Sequence, residues 1–509
     1  MVRNFFSVGA FTALSRLTGF VRDMLLGAIL GAGVLSDAYF IALRLPNTFR
    51  TIFGEGAFSA AYVPAYSRVL AQRGGEPARL FASKIFTLLL IAQAVLLALF
   101  YLFTPFFIGL IAPGFEADPV KYGYVVAMTR ITFPYLAFVT LAILHTGTLN
   151  AHGYFAAGAF ASVLLNLFVI GFVAFAFLFP NAGIAASWGV LASGAAQLAL
   201  MMGSAWRHGV LEGFALPRWD GDVKRFFAAL GPAVIGSAGQ QIAILLDSVL
   251  ASWLPTGSVS SLNYAERLYQ LPLGVIGVAA GTVLLPEMSR RVARGDEAGA
   301  AQAQNRALAL TLALAAPFVA LFLTIPEEII RAAFQRGAFD SEAAVRSGGV
   351  LAAYGLGLLA MVTIRSLVAS FQSRGDTHTP MLCFFAGLAV NLTMKLTLYK
   401  SAGAAGLAFA TAAGAWVNFT LLIVFGLRWK WMRPDAKLAE NIAIALFACG
   451  ATALEAPMLL ERVSAWLPGA WLHKEIAMVV AAGAAFVGYG AVFALGALMF
   501  GRSVAGQLR

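Results

Sequence analysis

The sequence has 509 residues, of which 60% are hydrophobic and only 12% are charged. Soluble globular proteins carry about 25% charged residues, so the composition excludes a soluble multidomain protein. Lysine plus arginine outnumber aspartate plus glutamate by 35 to 24, an excess that is typical of the cytoplasmic loops of membrane proteins and gives no reason to expect nucleic-acid binding.

Apolar runs bounded by charged residues, glycine or proline predict about 14 transmembrane helices, each near the roughly 20 residues needed to cross a bilayer. In chain order the predicted spans are 5–30, 34–57, 85–111, 123–149, 155–179, 182–205, 226–253, 259–285, 308–325, 348–371, 380–399, 402–427, 440–460 and 475–499. Residues 153–206 contain no Asp, Glu, Lys, Arg or His. The runs are continuous rather than alternating, which indicates an all-α polytopic membrane protein and not a β-barrel.

Loop charges predict the orientation of these spans. With the N-terminus in the cytoplasm, most basic loop residues fall on the cytoplasmic side, as in the loops that contain Arg73 and Arg290. Few fall outside, among them Lys121 and Lys400. Because positive charge is retained on the inner side, we expect both termini to be cytoplasmic.

The two halves of the chain resemble each other at an offset of about 222 residues. Pro64 and Arg68 match Pro286 and Arg290, and Asn166-Leu167 matches Asn391-Leu392. The repeat predicts two parallel six-helix lobes, with a substrate site between them, followed by two additional helices. The predicted domains are residues 1–222, 223–430 and 431–509.

The first two spans carry polar and charged side chains at depths normally surrounded by lipid. They are Arg16, Arg22, Asp23, Asp37, Arg44, Asn47, Arg50 and Glu55. Each charge near the membrane centre costs about 2.5–3.5 kcal/mol to insert. Asp23 follows Arg16 by seven residues and therefore shares its helical face, as does Asp37 with Arg44. One interpretation is a set of intramembrane salt bridges.

Later spans add further basic residues. These are Arg130, Arg267, Arg365 and Lys395, with Glu266 beside Arg267. Arg50, Arg130 and Arg365 lie about seven residues from a span end, so snorkelling to the interface is an alternative for them. In spans one, two and eight the arginines exceed the acidic residues. A cavity lined by them would be electropositive and suited to phosphate, so we predict an anionic cargo such as a pyrophosphate.

A second polar group lies in later apolar runs. It consists of Asp247 on span seven, Asn391 and Lys395 on span eleven, and Thr411 on span twelve. One interpretation is an Asp247–Lys395 pair that stabilises the C-terminal lobe. The other is a site that couples transport to Na⁺ or H⁺, in which Lys395 would act as a tethered substitute for the cation.

Other chemistry has no signal in the sequence. A Gly-Lys dipeptide is absent, which excludes a P-loop ATPase. Cys383 and Cys449 provide no disulfide framework, and the five histidines are scattered. We therefore expect no enzyme, no cofactor and no metal site. Transport would draw on an ion gradient or on the membrane potential.

Several motifs together resemble the MurJ (MviN) family. They are SRLTGFVRD at 15–23, SDAYF at 36–40, LPN at 45–47 with Arg50, GEGAFS at 54–59, YAERL at 264–268 and PLGVIGVA at 272–279. The similarity extends over spans one to twelve, whereas the last two spans match only in hydropathy.

The resemblance implies a lipid II flippase of the bacterial inner membrane, within the multidrug/oligosaccharidyl-lipid/polysaccharide exporter superfamily. Such proteins move the undecaprenyl-pyrophosphate-linked peptidoglycan precursor outward, and alternating access is the expected mechanism. By the same resemblance, the family's cavity arginines correspond to Arg16, Arg22, Arg50 and Arg267, and Arg44 lies at a basic position of the same motif. Spans thirteen and fourteen would form a groove for the lipid tail. Expected partners are lipid II, membrane lipids and the cell-wall synthesis machinery.

Two other functions remain as alternatives at this stage. One is a flippase for another polyprenyl-linked glycan, or a cation-coupled exporter of the same superfamily. A cation exporter should line its cavity with carboxylates, whereas arginine predominates here. The other is a cell-wall scaffold without transport activity, which would tolerate neutral substitution of the cavity arginines.

Overall fold

The computed structural model describes residues 2–466 and 473–499. For six short ranges within them only the backbone is described, namely 2–8, 53–56, 235–240, 242–243, 278–283 and 473–474. The described residues form helices joined by short loops, and no strand occurs among them. Long apolar helices satisfy their backbone hydrogen bonds internally, as a membrane requires. The predicted all-α membrane fold is confirmed.

The first compact unit comprises residues 1–260 together with 337–339. Its helices are α1 (Val2–Leu30), α2 (Val34–Phe49), α3 (Ser59–Arg73), α4 (Gly75–Ile111), α5 (Pro119–Thr132), α6 (Tyr135–Ala151), α7 (Ala156–Ala174), α8 (Ala182–Arg207) and α9 (Gly221–Ser252). One apolar core joins α3, α4, α6 and α9 through buried side chains that include Tyr62, Phe81, Leu144 and Phe226.

The second unit comprises residues 261–336 and 340–509. Helix α10 (Ser258–Pro272) begins just before it, and its other helices are α11 (Val278–Ala293), α12 (Glu297–Thr324), α13 (Pro326–Phe334), α14 (Ser341–Gly355), α15 (Leu358–Gln372), α16 (His378–Arg428), α17 (Ala436–Trp466) and α18 (His473–Met499). One of its buried clusters includes Leu367, Phe371, Cys383 and Leu422.

Within the described residues, nine helical stretches are long and apolar enough to cross a membrane. Helices α1, α2, α9 and α10 are not among them, and these are the helices that carry Arg16, Arg44, Asp247 and Arg267. The range α16 contains predicted spans eleven and twelve as two helices that are separated by a kink at Gly403. Gly403 has a φ of +55°, a conformation that glycine adopts without steric cost.

Two π-helical segments occur at corresponding places in the sequence repeat. Arg50–Phe58 follows α2, and Leu273–Gly277 follows α10. Each comes after a proline within the preceding helix, Pro46 and Pro272 respectively. Proline removes a backbone donor, and local widening to a π-helix is frequent at functional sites. Both halves of the chain therefore interrupt the same helix of the repeat.

The segment between α8 and α9 is attached along α4. The backbone N–H groups of Gly213 and Ala215 donate to Ser83 Oγ (3.0 Å) and Thr87 Oγ1 (3.2 Å). The Lys84 ammonium lies 2.6 Å from Asp220, whose carboxylate also caps the first turn of α9. These contacts explain why α9 belongs to the first compact unit, although the repeat places residues 223–430 together.

A buried polar network holds the same segment against α6. The Glu212 carboxylate contacts His145 Nδ1 (2.6 Å) and accepts a hydrogen bond from Thr148, whose hydroxyl oxygen lies 2.8 Å from the Tyr62 hydroxyl. Both His145 and Glu212 have fully buried side chains. Buried polar groups are stable only when paired in this way, so the network fixes the segment that precedes α9.

Candidate functional site

Arg16 lines an open cavity of about 330 Å³ within the first unit. The cavity lies between α1, α6 and α7, and its lining residues are Thr12, Ser15, Arg16, Thr146, Asn150, Phe155, Gly158, Ala159 and Ser162. Among the described side chains, these lining residues include no carboxylate. A guanidinium beside hydroxyl and amide groups suits an anionic or polyhydroxylated ligand.

Arg22 is held in one orientation by two neighbours. Its Nε and Nη2 donate to Asp23 Oδ1 at 3.0 and 2.7 Å, and its Nη1 donates to Asn166 Oδ1 at 3.0 Å. The Asn166 amide donates in turn to the Ser15 carbonyl (2.9 Å) and to Thr18 Oγ1 (3.1 Å). Helix α7 thus fixes both the α1 backbone and the Arg22 guanidinium.

Asp37 is completely buried and saturated with hydrogen bonds. Its carboxylate lies 2.8 Å from Lys121 Nζ and accepts the N–H groups of Gly257 and Ser260, at 2.8 Å each, and the Ser260 hydroxyl at 2.7 Å. The ammonium of Lys121 also lies 3.9 Å from the centre of the Phe115 ring. Asp37 therefore caps the start of α10, where the first backbone N–H groups have no carbonyl partner within the helix.

The spacing argument had placed Asp23 with Arg16 and Asp37 with Arg44. The contacts that form are Asp23 with the adjacent Arg22 and Asp37 with Lys121. Lys121, expected in an outer loop, lies instead in the first turn of α5 with its side chain only 4% exposed. Shared helical faces do not identify either partner, because Asp23 pairs with its neighbour in the chain and the partner of Asp37 lies on another helix.

Three further charged residues lie on α2 and on the π-helical segment after it, namely Arg44, Arg50 and Glu55. Arg44 is half-buried, and its Nε is buried without a hydrogen-bond partner. Arg50 begins the π-helical segment, and the carbonyls of Pro46 and of the exposed Asn47 accept its backbone N–H. The side chain of Glu55 lies outside the described residues.

In the second unit, Arg267 lies exposed on α10, beside the half-buried Glu266. Glu266 accepts a hydrogen bond of 2.8 Å from Gln270. Arg365 on α15 is exposed, as is Arg130 on α5 of the first unit. Because these three arginines are exposed, their guanidinium groups can contact either a ligand in an aqueous cavity or the headgroups of lipids.

The second polar group is divided between the two units. Asp247 is half-buried in the first unit. In the second unit, α16 carries Lys395, which is buried, and Asn391 and Thr411, which are half-buried. The Oδ1 atom of Asn391 is buried without a hydrogen-bond partner, and the Thr411 hydroxyl donates to the Leu407 carbonyl at 3.1 Å. An Asp247–Lys395 pair stays a prediction. Across the described part of the chain, no group of three or more His, Cys, Asp or Glu residues is arranged to hold a metal ion.

Several residues that line the Arg16 cavity or hold Arg22 were not identified as site residues from the sequence. Asn166 was noted only as a repeat position, equivalent to Asn391, and that match was the available signal. Ser15 was noted only as part of the SRLTGFVRD motif, and Asn150 only as a repeat position. The hydroxyls of Thr12 and Ser162 gave no signal, because isolated small polar residues are common in membrane helices. Only the packing of α1 against α6 and α7 brings them beside Arg16.

Comparisons with known proteins agree with one another. A family model described as "Lipid II flippase MurJ" matches residues 26–475. A probable lipid II flippase MurJ of Rhizobium meliloti is 43% identical over 450 residues, which are 87% of this chain and 83% of the relative. The lipid II flippase MurJ of Burkholderia cenocepacia is 32% identical over 437 residues, 84% of each chain.

Solved structures show a similar fold. A structure described as "Lipid II flippase MurJ, inward closed conformation" gives a TM-score of 0.78 at 23% identity, covering 96% of this chain and 98% of the other. An inward-facing multidrug resistance MATE transporter of the MOP superfamily gives 0.68 at 14% identity, covering 84% and 98%. The two solved chains therefore share this fold at low sequence identity.

Proposed function

The chain belongs to the lipid II flippase MurJ family, and on this premise we propose how its residues carry the substrate. The protein is a lipid II flippase and not an enzyme. The pyrophosphate of lipid II would bind the arginines that line the transport path. These are Arg16, Arg22, Arg50 and Arg267, with Arg44 as an additional basic residue.

The observation that supports this assignment most directly is the cavity at Arg16. A guanidinium lines an open space of about 330 Å³ with no carboxylate among the lining residues. Such a site favours an anion, because a charge-assisted hydrogen bond is roughly twice as strong as a neutral one. Arg22 complements it, since Asp23 and Asn166 fix the direction of its guanidinium before any ligand arrives.

We propose that translocation proceeds by alternating access in the bacterial inner membrane, with both termini in the cytoplasm. A negative interior drives an anionic headgroup outward by about 2.3 kcal/mol per charge per 100 mV. The isoprenoid tail would stay in lipid beside α17 and α18, where Phe447, Leu454, Val479 and Val487 are exposed. Membrane lipids and the cell-wall enzymes that consume lipid II would be further partners.

Coupling to an ion would involve the second polar group. In this proposal Lys395 supplies a fixed positive charge near Asn391 on α16, and Asp247 and Thr411 complete the group. The burial of Lys395 favours this role, because a charge in the membrane interior requires a partner. Dependence of transport on Na⁺ would then be weak, and the membrane potential would be the main driving force.

The test is transport of lipid II by the purified protein in proteoliposomes, together with rescue of a bacterium depleted of its own flippase. The variants are Arg16→Ala, Arg22→Ala and Arg267→Ala. Each should lower the initial rate about tenfold or more, because loss of a charged hydrogen bond costs about 1.5–3 kcal/mol. None of the three should rescue growth at the wild-type level of protein.

Arg130→Ala is the matched control, since it removes an exposed arginine from a membrane helix outside the proposed site. It should keep a rate within about twofold of wild type, as expected of a surface substitution. Wild-type transport by all three site variants would overturn the assignment of these arginines to the substrate.

A further inference from the structure

The cavity at Arg16 contains more polar groups than binding of an anion requires. Its other polar lining residues come from three helices, with Thr12 and Ser15 on α1, Thr146 and Asn150 on α6, and Ser162 on α7. Four of these five provide hydroxyls and one provides a carboxamide. Hydroxyls and amides both donate and accept hydrogen bonds, so the lining suits a ligand that is itself rich in donors and acceptors.

The frame around these groups is fixed by contacts outside the cavity. The Ser15 carbonyl accepts the Asn166 amide of α7 at 2.9 Å, which holds α1 against α7 at this level. Thr146 Oγ1 donates to the Ala142 carbonyl at 2.8 Å, so its hydroxyl proton is already committed and its oxygen acts as an acceptor. At Gly158 a Cβ atom would lie 2.9 Å from Thr146 Cγ2, so α6 and α7 approach closely there.

One aromatic side chain completes the lining. Phe155, just before α7, lines the cavity and is 41% exposed. An aromatic face beside hydrogen-bonding groups provides an apolar platform as well as polar contacts. Small-molecule sites typically combine such a surface with a few convergent polar groups and measure about 300–1,000 Å³. At about 330 Å³, the cavity matches one sugar or amino-acid unit rather than a complete lipid-linked headgroup.

We propose that this cavity is a subsite for a single N-acylated sugar unit that carries or adjoins a negative charge. Arg16 binds the anionic group, Asn150 and the hydroxyls bind the sugar hydroxyls and the acyl amide, and Phe155 contacts the apolar ring face. The inference rests on the proposed function, because lipid II presents such a sugar next to its pyrophosphate. It adds a recognition role for residues that carry no charge.

The experiment measures binding of N-acetylmuramic acid and of inorganic pyrophosphate to the full-length protein in lipid nanodiscs by calorimetry. The variants are Asn150→Ala, which removes the carboxamide, and Ser162→Leu, which fills the cavity from an exposed position on α7. Each should weaken binding of the sugar about fivefold, the loss expected of one or two hydrogen bonds. Binding of pyrophosphate should change less than about twofold and should depend on Arg16.

Ser401→Leu is the matched control, because Ser401 is an exposed serine on α16 outside the cavity. It should bind both probes as the wild type does. The inference is overturned if N-acetylmuramic acid does not bind while pyrophosphate does, or if neither Asn150→Ala nor Ser162→Leu alters binding of the sugar.

Transport of lipid II, measured on the same samples, separates this inference from the proposed function. Wild-type transport by Arg16→Ala, Arg22→Ala and Arg267→Ala, with sugar binding weakened by both cavity variants, would count against the arginine assignment alone. Normal transport by the wild type, with sugar binding insensitive to both cavity variants, would remove only the sugar subsite.

Discussion

Asp37 and Arg16 are both charged residues on neighbouring helices of the chain, α2 and α1, but their surroundings are opposite. Asp37 is fully buried, and Lys121, Gly257 and Ser260 saturate its carboxylate. Arg16 is exposed and lines an open cavity among uncharged polar groups. A charge that is saturated by the protein stabilises the fold, whereas a charge left open to a cavity is available to a ligand. Hydropathy and helical spacing describe both residues in the same way.

The largest expected effect separates these two roles by stability. Lys121→Met leaves the Asp37 carboxylate buried without its counter-ion, which should lower the free energy of unfolding by about 3–5 kcal/mol. Arg16→Met should change it by less than about 0.5 kcal/mol, as expected at an exposed position. Thermal unfolding in detergent, monitored by intrinsic fluorescence, measures both.

A double substitution sharpens this prediction. Asp37→Asn combined with Lys121→Met removes both charges and should recover part of the lost stability, because no unpaired charge stays buried. The role assigned to the pair would be wrong if Lys121→Met were as stable as Arg16→Met.

Arg22 lies between these extremes, since it is held by the protein and is also proposed to contact the substrate. Asn166→Ala removes one hydrogen bond to Arg22 and two to α1. We expect a loss of about 1–2 kcal/mol in stability and about a fivefold lower rate of lipid II transport, because Arg22 loses its orientation. Transport in proteoliposomes and thermal unfolding measure the two effects.

A double-mutant cycle distinguishes positioning from general destabilisation. In an Arg22→Ala background, Asn166→Ala should have little further effect on transport, because the two residues act together. Ser187→Ala is a suitable control, since the buried Ser187 hydroxyl bonds only within α8. Additive losses of transport in the cycle would contradict a positioning role for Asn166.

The smallest effect concerns the ion pair between Lys84 on α4 and Asp220, the residue that precedes α9. Partial burial opposes ionisation, but the Lys84 ammonium and the backbone N–H groups of Val223 and Asp222 outweigh it and lower the pKa of Asp220. The pair therefore stabilises the fold above the ordinary aspartate pKa of about 4. This contribution is lost as the pH falls through the lowered pKa.

Its size should be below about 1 kcal/mol, because both side chains are only partly buried and solvent screens the pair. The melting temperatures of wild type and Asp220→Asn, compared between neutral and acidic pH, measure it. The difference should shrink on acidification. A difference that grew as the pH fell would show that the pair is not the source of the stabilisation.

Much of the fold followed from sequence because hydropathy is a local property. The long apolar runs predicted the membrane helices, whereas the π-helical interruption that both halves share became visible only in the structure. The break at Gly403 was also predicted, since spans eleven and twelve were expected as separate helices and a kink at this residue divides them. The membership of α9 in the first unit was not predictable, because it depends on Lys84, Asp220 and Glu212.

The sequence by itself determined the class of protein, the family and the identity of the charged residues that a membrane would otherwise exclude. Only the tertiary structure decided which of those charges are paired. Arg22 forms a hydrogen bond with the side-chain amide of a residue 144 positions away, and Asp37 forms one with a serine 223 positions away. Periodicity reports which residues share a helical face, whereas pairing depends on which helices pack together. The same packing placed uncharged hydroxyls beside Arg16 and so formed a cavity that no local motif describes.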